Sequence, residues 1–207
     1  MKKLQPILLL LFILCFSCSK SNKEEHSTIP KVSLAKTTLK AEEALTFCMQ
    51  NNLNTDFCIL VDMSLHSGIK RLLLWDFKSK KITKSFLVSH GCGENQWGKD
   101  NTKENPLFSN QIDSHKTSLG KYKLGERGYS SWGVHKKYLM HGLDDSNSNA
   151  LKRIIVFHSW EMVSDTETYP QGTPEGWGCP AISNNAFMEL DEILKNSNKP
   201  VLFWIYN

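Results

Sequence analysis

A cysteine and a histidine in the second half of the chain form a pattern typical of nucleophilic catalysis by a thiol. Cys179 follows Gly178 in the segment Gly-Trp-Gly-Cys-Pro, and His158 ends an apolar run that predicts a buried strand over 154–158. A free thiol has a pKa of about 8.5, so an imidazole that accepts its proton turns a weak nucleophile into a strong one. The sequence therefore predicts Cys179 as the nucleophile and His158 as its general base.

The glycine before the thiol has a predicted role in the same reaction. Gly178 lets the backbone turn sharply, which leaves the N–H groups of Trp177, Gly178 and Cys179 free to donate to an oxyanion. A structural alternative stays open for each residue taken alone, because a thiol also acts as a small buried apolar group and a histidine also ends strands without a catalytic role. The short spacing between His158 and Cys179 favours catalysis, although spacing does not show that the side chains touch.

A longer series of motifs resembles the murein L,D-transpeptidase catalytic-domain family, and within it the YkuD-like branch whose nucleophile motif ends in Gly-Cys-Pro-Ala. The resemblance covers about residues 40–207, and this extent argues against chance agreement. The matching residues are Asn147, Asn149 and the segments 139–143, 153–158, 177–181, 88–91, 108–110 and 118–120.

This resemblance implies a fold, a reaction and a site. The fold is a mainly β, β-sandwich-type domain with a few helices. The reaction is acyl transfer on peptidoglycan stem peptides, in which the Cys179 thiolate attacks the third stem residue and expels the terminal D-alanine, and an amine of a neighbouring stem then forms a 3-3 cross-link. The carbonyl of Ser159 would orient the His158 imidazole, and no metal or organic cofactor is implied. The substrate cleft is expected to contain Ser89, His90, Asn110, His141 and Gly142.

The chain departs from the family pattern near the nucleophile. Gly176 stands where the family has Ser or Thr, Trp177 stands where the wider family has His, and 17 residues separate His158 from Gly176, at the upper edge of the family spacing. Loss of the hydroxyl removes a hydrogen-bond partner worth about 1 kcal/mol. Three alternatives to transfer stay open: an L,D-carboxypeptidase or cross-link-cleaving hydrolase with the same site, a non-catalytic peptidoglycan-binding lipoprotein, and an unrelated thiol hydrolase.

A second cysteine competes for the role of nucleophile. The segment 89–92 reads Ser-His-Gly-Cys, which is the general signature of the family. However, 22 residues lie between the nearest upstream histidine, His66, and this segment, which is outside the family spacing, and no hydrophobic residue follows Cys92. The sequence therefore favours Cys179 over Cys92.

Two further arrangements of cysteine and histidine are weaker. A zinc site built from His141, His158 and Cys179 lacks the short ligand spacing of known zinc sites and is not favoured. Cys48 and Cys58 are either a disulfide, which an export compartment permits, or two small buried apolar residues.

The first residues resemble a bacterial lipoprotein signal. Residues 1–17 contain a short basic start and an apolar stretch over 7–16, and Cys18 follows as the residue that would carry the lipid. The apolar stretch is short for a membrane-spanning helix, which needs about 20 residues. We therefore expect a lipid-anchored protein of the bacterial cell envelope, in the periplasm or at the outer membrane. An ordinary secretory signal or a short anchor is the alternative.

Composition fits one exported catalytic domain behind a tether. Residues 18–36 are rich in Ser, Lys, Glu and Thr, which predicts a flexible tether, and 37–207 are long enough for a single domain. The formal net charge of +4 is small and the basic residues are dispersed, which argues against a nucleic-acid partner. The expected partners are peptidoglycan stem peptides and a membrane that the lipid reaches.

Apolar periodicity predicts the elements that position the site. Helices are predicted over 39–51 and 185–195, and strands over 57–61, 71–75, 85–88, 118–124, 154–158 and 201–206. A long polar loop over 95–118 separates the two halves of the chain. Loops of this length are usually functional, so we expect it to wall the substrate cleft.

Overall fold

The structure, a computed structural model, describes residues 31–207. Residues 1–30, which include the expected signal segment and Cys18, lie outside the described residues. No helix within 31–207 is long and apolar enough to cross a membrane. The elements in chain order are α1 (Leu34–Gln50), β1 (Phe57–Asp62), β2 (Leu72–Asp76), β3 (Lys81–Phe86), β4 (Gly120–Tyr129), β5 (Lys136–Gly142), a single 3-10 turn (Asp145–Asn147), β6 (Val156–Ser159), β7 (Ala181–Ile182), α2 (Asn184–Leu194) and β8 (Leu202–Tyr206).

The eight strands form one nearly closed sheet in the order β3-β2-β1-β8-β4-β5-β6-β7. β1 and β8 run parallel near its centre, and β6 and β7 form a second parallel pair at one end. The remaining neighbours pair antiparallel. The predicted mainly β fold with a few helices is confirmed.

Both faces of the sheet are covered, which explains why β1 reads as a continuous apolar run. Successive side chains of a strand point to opposite faces. Ile59 and Val61 pack into the cluster that includes α2, whereas Cys58 and Leu60 pack into the cluster that includes α1. All four side chains are fully buried. A strand buried on both sides has no polar alternation to show in its sequence.

The first helix begins at Leu34 rather than at position 39. The Ser33 side chain accepts a hydrogen bond from the helix backbone at 3.3 Å and so caps the helix at this earlier point. Residues 34–36, assigned to the tether from their composition, are therefore helical. On the buried face of α1, Cys48 packs in the same cluster as Cys58, and both thiols are free. This arrangement matches two small apolar residues rather than a disulfide.

Several strand boundaries differ from the prediction for local reasons. β6 begins at Val156 rather than at 154, because Ile154 has a φ of 55°, which is outside the β region. β3 covers an earlier stretch than 85–88, because the preceding turn ends at Lys80, which has a φ of 53°. β5 and the two-residue β7 are absent from the prediction, since β7 is too short to show a period.

Candidate active site

Pairing of β6 with β7 brings His158 and Cys179 to one cleft. His158 is the register partner of Ala181, so Cys179, two residues before Ala181, lies beside Val156 at the same edge of the sheet. The Val156 N–H accordingly donates a hydrogen bond to Cys179 Sγ at 3.4 Å. Both His158 and Cys179 line one open cleft. The two residues singled out from their spacing therefore share one cavity.

A neighbouring backbone group fixes the orientation of the His158 imidazole. Its Nδ1 lies 2.9 Å from the carbonyl oxygen of Ser159. Because a carbonyl only accepts, Nδ1 carries the hydrogen and Nε2 has the lone pair that a general base needs. Burial lowers the pKa of His158, and Lys137 acts in the same direction, whereas the Ser159 carbonyl and Glu161 oppose the shift. A neutral imidazole at physiological pH follows from this balance.

The Cys179 thiol is partly exposed and is not activated in advance. Burial raises its pKa, while the Val156 N–H and the charges of Arg153 and Lys137 oppose this effect. The thiol also donates a weak hydrogen bond to the Ile154 carbonyl at 3.6 Å. Cys179 is thus a protonated thiol at neutral pH, and it needs a base at the moment of attack.

The turn before the thiol leaves backbone donors free, as the sequence predicts. Gly178 has a φ of 99°, and a Cβ there would lie 2.7 Å from the Lys116 carbonyl oxygen, so only glycine fits. The Thr117 hydroxyl donates to the Gly178 carbonyl at 3.2 Å. Within residues 31–207, the N–H groups of Trp177, Gly178 and Cys179 donate to no acceptor. These amides are the candidate donors to an oxyanion.

Of the two upstream residues expected in the cleft, Ser89 lies there and His90 does not. Ser89 lines the cleft, its N–H donates to the Ala181 carbonyl at 2.8 Å, and its Oγ accepts from the Ala181 N–H at 3.1 Å. The His90 ring is fully buried in the interior, where it forms hydrogen bonds with Arg71 and Thr102. The placement of His90 in the cleft is therefore corrected, because its ring is bonded to Arg71 and Thr102 in the interior.

His141, Gly142 and Asn110 also lie away from the thiol. His141 lines a separate groove and sits 3.4 Å from a carboxylate oxygen of Glu126. It lies four residues along β5 from Lys137, the partner of His158, which is about 13 Å in a strand. This separation also removes His141 from the zinc site considered above, and residues 31–207 contain no group of three ligands that could hold a metal ion.

Gly142 and Asn110 have structural roles at the other end of β5. A Cβ on Gly142 would lie 2.0 Å from the Asn147 carbonyl oxygen, so glycine is needed for the close approach of the two backbones. The Asn110 amide donates to the Asp145 carbonyl at 2.9 Å, and its carbonyl groups accept from Asn149 at 3.1 Å and 3.0 Å. Both residues therefore organise the 3-10 turn rather than the cleft, which corrects the expectation.

Cys92 is buried and faces a different cavity. Only 3% of its surface is exposed, and its thiol contacts the carbonyl of Gly93. Burial raises the pKa of Cys92, and His90, two residues earlier, directs both ring nitrogens elsewhere. The geometry therefore agrees with the preference for Cys179.

Tryptophans form the walls of the cleft, and the sequence analysis did not find most of them. The loop 95–118 contributes Trp97, whose ring centroid lies 5.1 Å from that of Trp160, 6.0 Å from that of Trp132 and 6.3 Å from that of Trp177. All four side chains line the cleft, and the loop 95–118 contributes to its wall through Trp97. The available signal was the composition, since the chain has 6 tryptophans and exposed tryptophan is often functional.

The glycine at position 176 does not leave the nucleophile segment unsupported. The Gly176 N–H donates to the His90 carbonyl, and its carbonyl accepts from the Cys92 N–H, both at 2.8 Å. Further along, the Ser89 hydroxyl donates to the Cys179 carbonyl at 3.4 Å. Hydroxyl groups from other segments therefore bind this loop, although position 176 has none.

A mainly β domain with a thiol and an imidazole at one cleft defines a class of candidate thiol enzymes. A family model described as the L,D-transpeptidase catalytic domain matches residues 29–205. The chain belongs to this family. The resemblance noted from the sequence is thereby confirmed.

Solved structures give more distant similarities. Bd1075 from Bdellovibrio bacteriovorus is 18% identical over 74% of this chain and 49% of that chain, with a TM-score of 0.41. The helical cell shape determining protein Pgp2 from Campylobacter jejuni is 15% identical over 73% and 47%, with a TM-score of 0.43. An L,D-transpeptidase from Xylanimonas cellulosilytica is 11% identical over 78% and 68%, with a TM-score of 0.38. The chain thus spans about half the length of the first two proteins. No curated protein matches it.

Proposed function

We propose that this chain is a cysteine-dependent L,D-transpeptidase that forms 3-3 cross-links between peptidoglycan stem peptides. The observation that carries the proposal is the shared cleft of Cys179 and His158, in which Ser159 holds the imidazole with Nε2 as the free base. A protonated thiol and a neutral imidazole are the pair of states that general-base activation requires.

In the proposed first step, His158 Nε2 takes the thiol proton as Cys179 Sγ attacks the carbonyl carbon of the third stem residue. The carbonyl oxygen becomes an oxyanion, which accepts hydrogen bonds from the free amides before Cys179, each worth about 3 kcal/mol. Collapse of this intermediate breaks the peptide bond. The imidazolium returns the proton to the departing D-alanine amine, and a thioester remains on Cys179.

In the second step, the amine of a neighbouring stem attacks the thioester carbonyl and gives a proton to His158. The C–S bond breaks, and the proton returns to the sulfur, which restores the thiol. The apolar walls made by Trp97, Trp132, Trp160 and Trp177 favour an amine over water in this step, because they exclude solvent from the thioester. Hydrolysis to a shortened stem is the competing outcome.

We also propose that the protein works at a membrane surface of the bacterial envelope. Its support is the sequence of residues 1–17 followed by Cys18. A lipid on Cys18 and a short tether would hold the catalytic domain near peptidoglycan. Labelling of cells with a fatty-acid probe tests this: the full chain should carry the label and a Cys18→Ser variant should not, whereas equal labelling of both contradicts the anchor.

The test of the reaction uses purified muropeptides and mass analysis of the products. Cross-linked dimers with a 3-3 bond support transfer. Loss of these dimers and of any shortened monomers in a Cys179→Ala variant supports Cys179 as the nucleophile. A matched Cys92→Ala variant should keep the activity, because Cys92 lies outside the cleft. Shortened monomers alone would change the proposal to hydrolysis, and binding without any product would contradict catalysis.

A further inference from the structure

We propose that His90 is a positioning residue that links Arg71 to Glu175 through buried hydrogen bonds and thereby fixes the segment that carries Cys179. The inference rests on the proposed roles of Cys179 and His158. His90 touches neither of them, so it acts on the reaction only through the loop.

The bonds of this network have a defined direction. Arg71 Nη2 lies 2.8 Å from His90 Nδ1, and because arginine only donates, Nδ1 must accept. The ring hydrogen is therefore on Nε2, which donates to Thr102 Oγ1 at 2.8 Å. The hydroxyl hydrogen of Thr102 is then left for Glu175 Oε1, at 3.0 Å. One neutral ring thus connects a buried cation to a buried carboxylate.

Glu175, at the start of the segment 175–179 that carries the thiol, forms hydrogen bonds with the segment 98–102 beside the cleft. Its N–H donates to the Lys99 carbonyl at 2.7 Å, its carbonyl accepts from the Gly98 N–H at 2.9 Å, and its carboxylate also accepts from the Thr102 N–H. Gly98 and Lys99 directly follow Trp97, which lines the cleft. Movement of Glu175 would therefore displace the indole wall as well as the thiol.

Position 176 completes the connection from His90 to the thiol. The His90 backbone carbonyl accepts from the Gly176 N–H at 2.8 Å, while its ring faces Arg71 and Thr102. The chain then reaches Cys179 through only Trp177 and Gly178. Two bonds therefore set the location of the thiol: a side-chain bond of Glu175, which the His90 ring reaches through Thr102, and a backbone bond from Gly176 to the His90 carbonyl.

The chemistry of the network favours positioning over stabilisation. Arg71, His90 and Glu175 are all fully buried, and within residues 31–207 Arg71 Nε and Glu175 Oε2 have no hydrogen-bond partner. Buried charges with unsatisfied atoms stabilise a fold poorly compared with apolar side chains of the same size. Burial and Arg71 lower the pKa of His90 to about 4, while Glu175 opposes this. The ring stays neutral, and the bonds keep their direction at neutral pH.

The experiment measures the alkylation rate of Cys179 by iodoacetamide as a function of pH, with the modified residue identified by peptide mass. His90→Leu removes both ring bonds and should lower the rate at pH 7 by about tenfold or more, since small displacements of reacting groups have large effects. It should also move the midpoint of the pH profile upward. His90→Gln keeps one acceptor and one donor and should recover most of the rate. Thr102→Val should give a milder loss.

A matched control separates positioning from stability. Tyr138→Phe removes a buried hydrogen bond to Asp191, 2.7 Å long. Tyr138 is the register partner of Phe157, so its side chain points to the face of the sheet opposite that of His158. Tyr138→Phe should lower the melting temperature without a change in the alkylation profile. The inference is overturned if iodoacetamide alkylates Cys179 in His90→Leu and Thr102→Val at the native rate. It is also overturned if the rate falls only in proportion to the loss of stability. If alkylation depends on His90 but no muropeptide product forms, the proposed function fails while the positioning role stands.

Discussion

The backbone N–H of Gly176 donates a hydrogen bond to the carbonyl of His90 at 2.8 Å. This bond places two similar motifs side by side: the segment 89–92, which reads Ser-His-Gly-Cys, and the segment 176–179, which reads Gly-Trp-Gly-Cys. Only the second presents its cysteine to the cleft that contains His158. The segment 89–92 instead accepts a backbone hydrogen bond from the segment 176–179. The Ser-His-Gly-Cys signature therefore has a structural role in this protein.

Replacement of Cys179 by alanine should abolish acyl-enzyme formation. The thiol is the only proposed nucleophile, and loss of a nucleophile lowers turnover by about 10³-fold or more. Incubation with a carbapenem and intact-protein mass analysis checks this, because the native chain should gain one adduct. The Cys92→Ala variant is the control and should gain the same adduct. A persistent adduct on Cys179→Ala contradicts the assignment.

Replacement of Gly178 by alanine should reduce both stability and activity. The φ of 99° and the Cβ position 2.7 Å from the Lys116 carbonyl oxygen require the backbone to shift, at a free-energy cost of about 1–3 kcal/mol. Thermal unfolding and muropeptide turnover measure the two effects. Gly128→Ala is the matched control, because a Cβ at Gly128 meets nothing within 4 Å. Equal melting temperatures and equal turnover in Gly178→Ala and Gly128→Ala would count against a backbone conformation at position 178 that requires glycine.

Replacement of Gly176 by serine, which restores the family hydroxyl, should be tolerated. A Cβ at this position would find its nearest neighbour, an atom of the Trp160 ring, at 3.9 Å. We expect a change in the free energy of unfolding within about 0.5 kcal/mol, typical of an unstrained substitution, and activity at least equal to that of the native chain. Denaturant unfolding and product analysis test this. A loss of activity would show that glycine itself is needed there.

Replacement of Trp97 by leucine should shift products from transfer toward hydrolysis. Its ring contacts three other indoles, so a smaller side chain opens the wall and admits water to the thioester. The ratio of cross-linked dimer to shortened monomer, read by mass, should fall several-fold. Exposed Leu39 on α1 provides a control site, where Leu39→Ala should leave the ratio unchanged. An unchanged ratio for Trp97→Leu rules out the solvent-excluding role.

The acid limb of the pH profile should report His158. Burial and Lys137 lower its pKa, so the rate should rise as His158 loses its proton at a pH below the ordinary histidine value of 6.5. Removal of the positive charge by Lys137→Gln should raise the pKa of His158 and move the limb to higher pH. Lys123→Gln, in the separate groove, should not move it. Measurement of kcat/KM against pH distinguishes these outcomes.

The sequence by itself determined the fold class and indicated Cys179 and His158 as the candidate reactive pair. The apolar runs of β1, β2 and β8 predict strands because their burial leaves a clear pattern. Cys179 and His158 can be recognised in the sequence because a thiol and an imidazole have distinctive chemistry. Gly178 can be recognised because glycine adopts a positive φ without strain. The helix cap at Ser33 was missed because its effect depends on a single hydrogen bond.

The tertiary structure alone decided which distant residues share the cleft. Trp97, Trp132 and Trp160 come from three separate segments, and no local period connects them. His90 and His141 were both expected in the cleft, yet His90 is enclosed with Arg71 and His141 lines a separate groove. The physical reason is that side-chain direction and the register of paired strands, which fix these positions, arise from long-range packing rather than from local sequence.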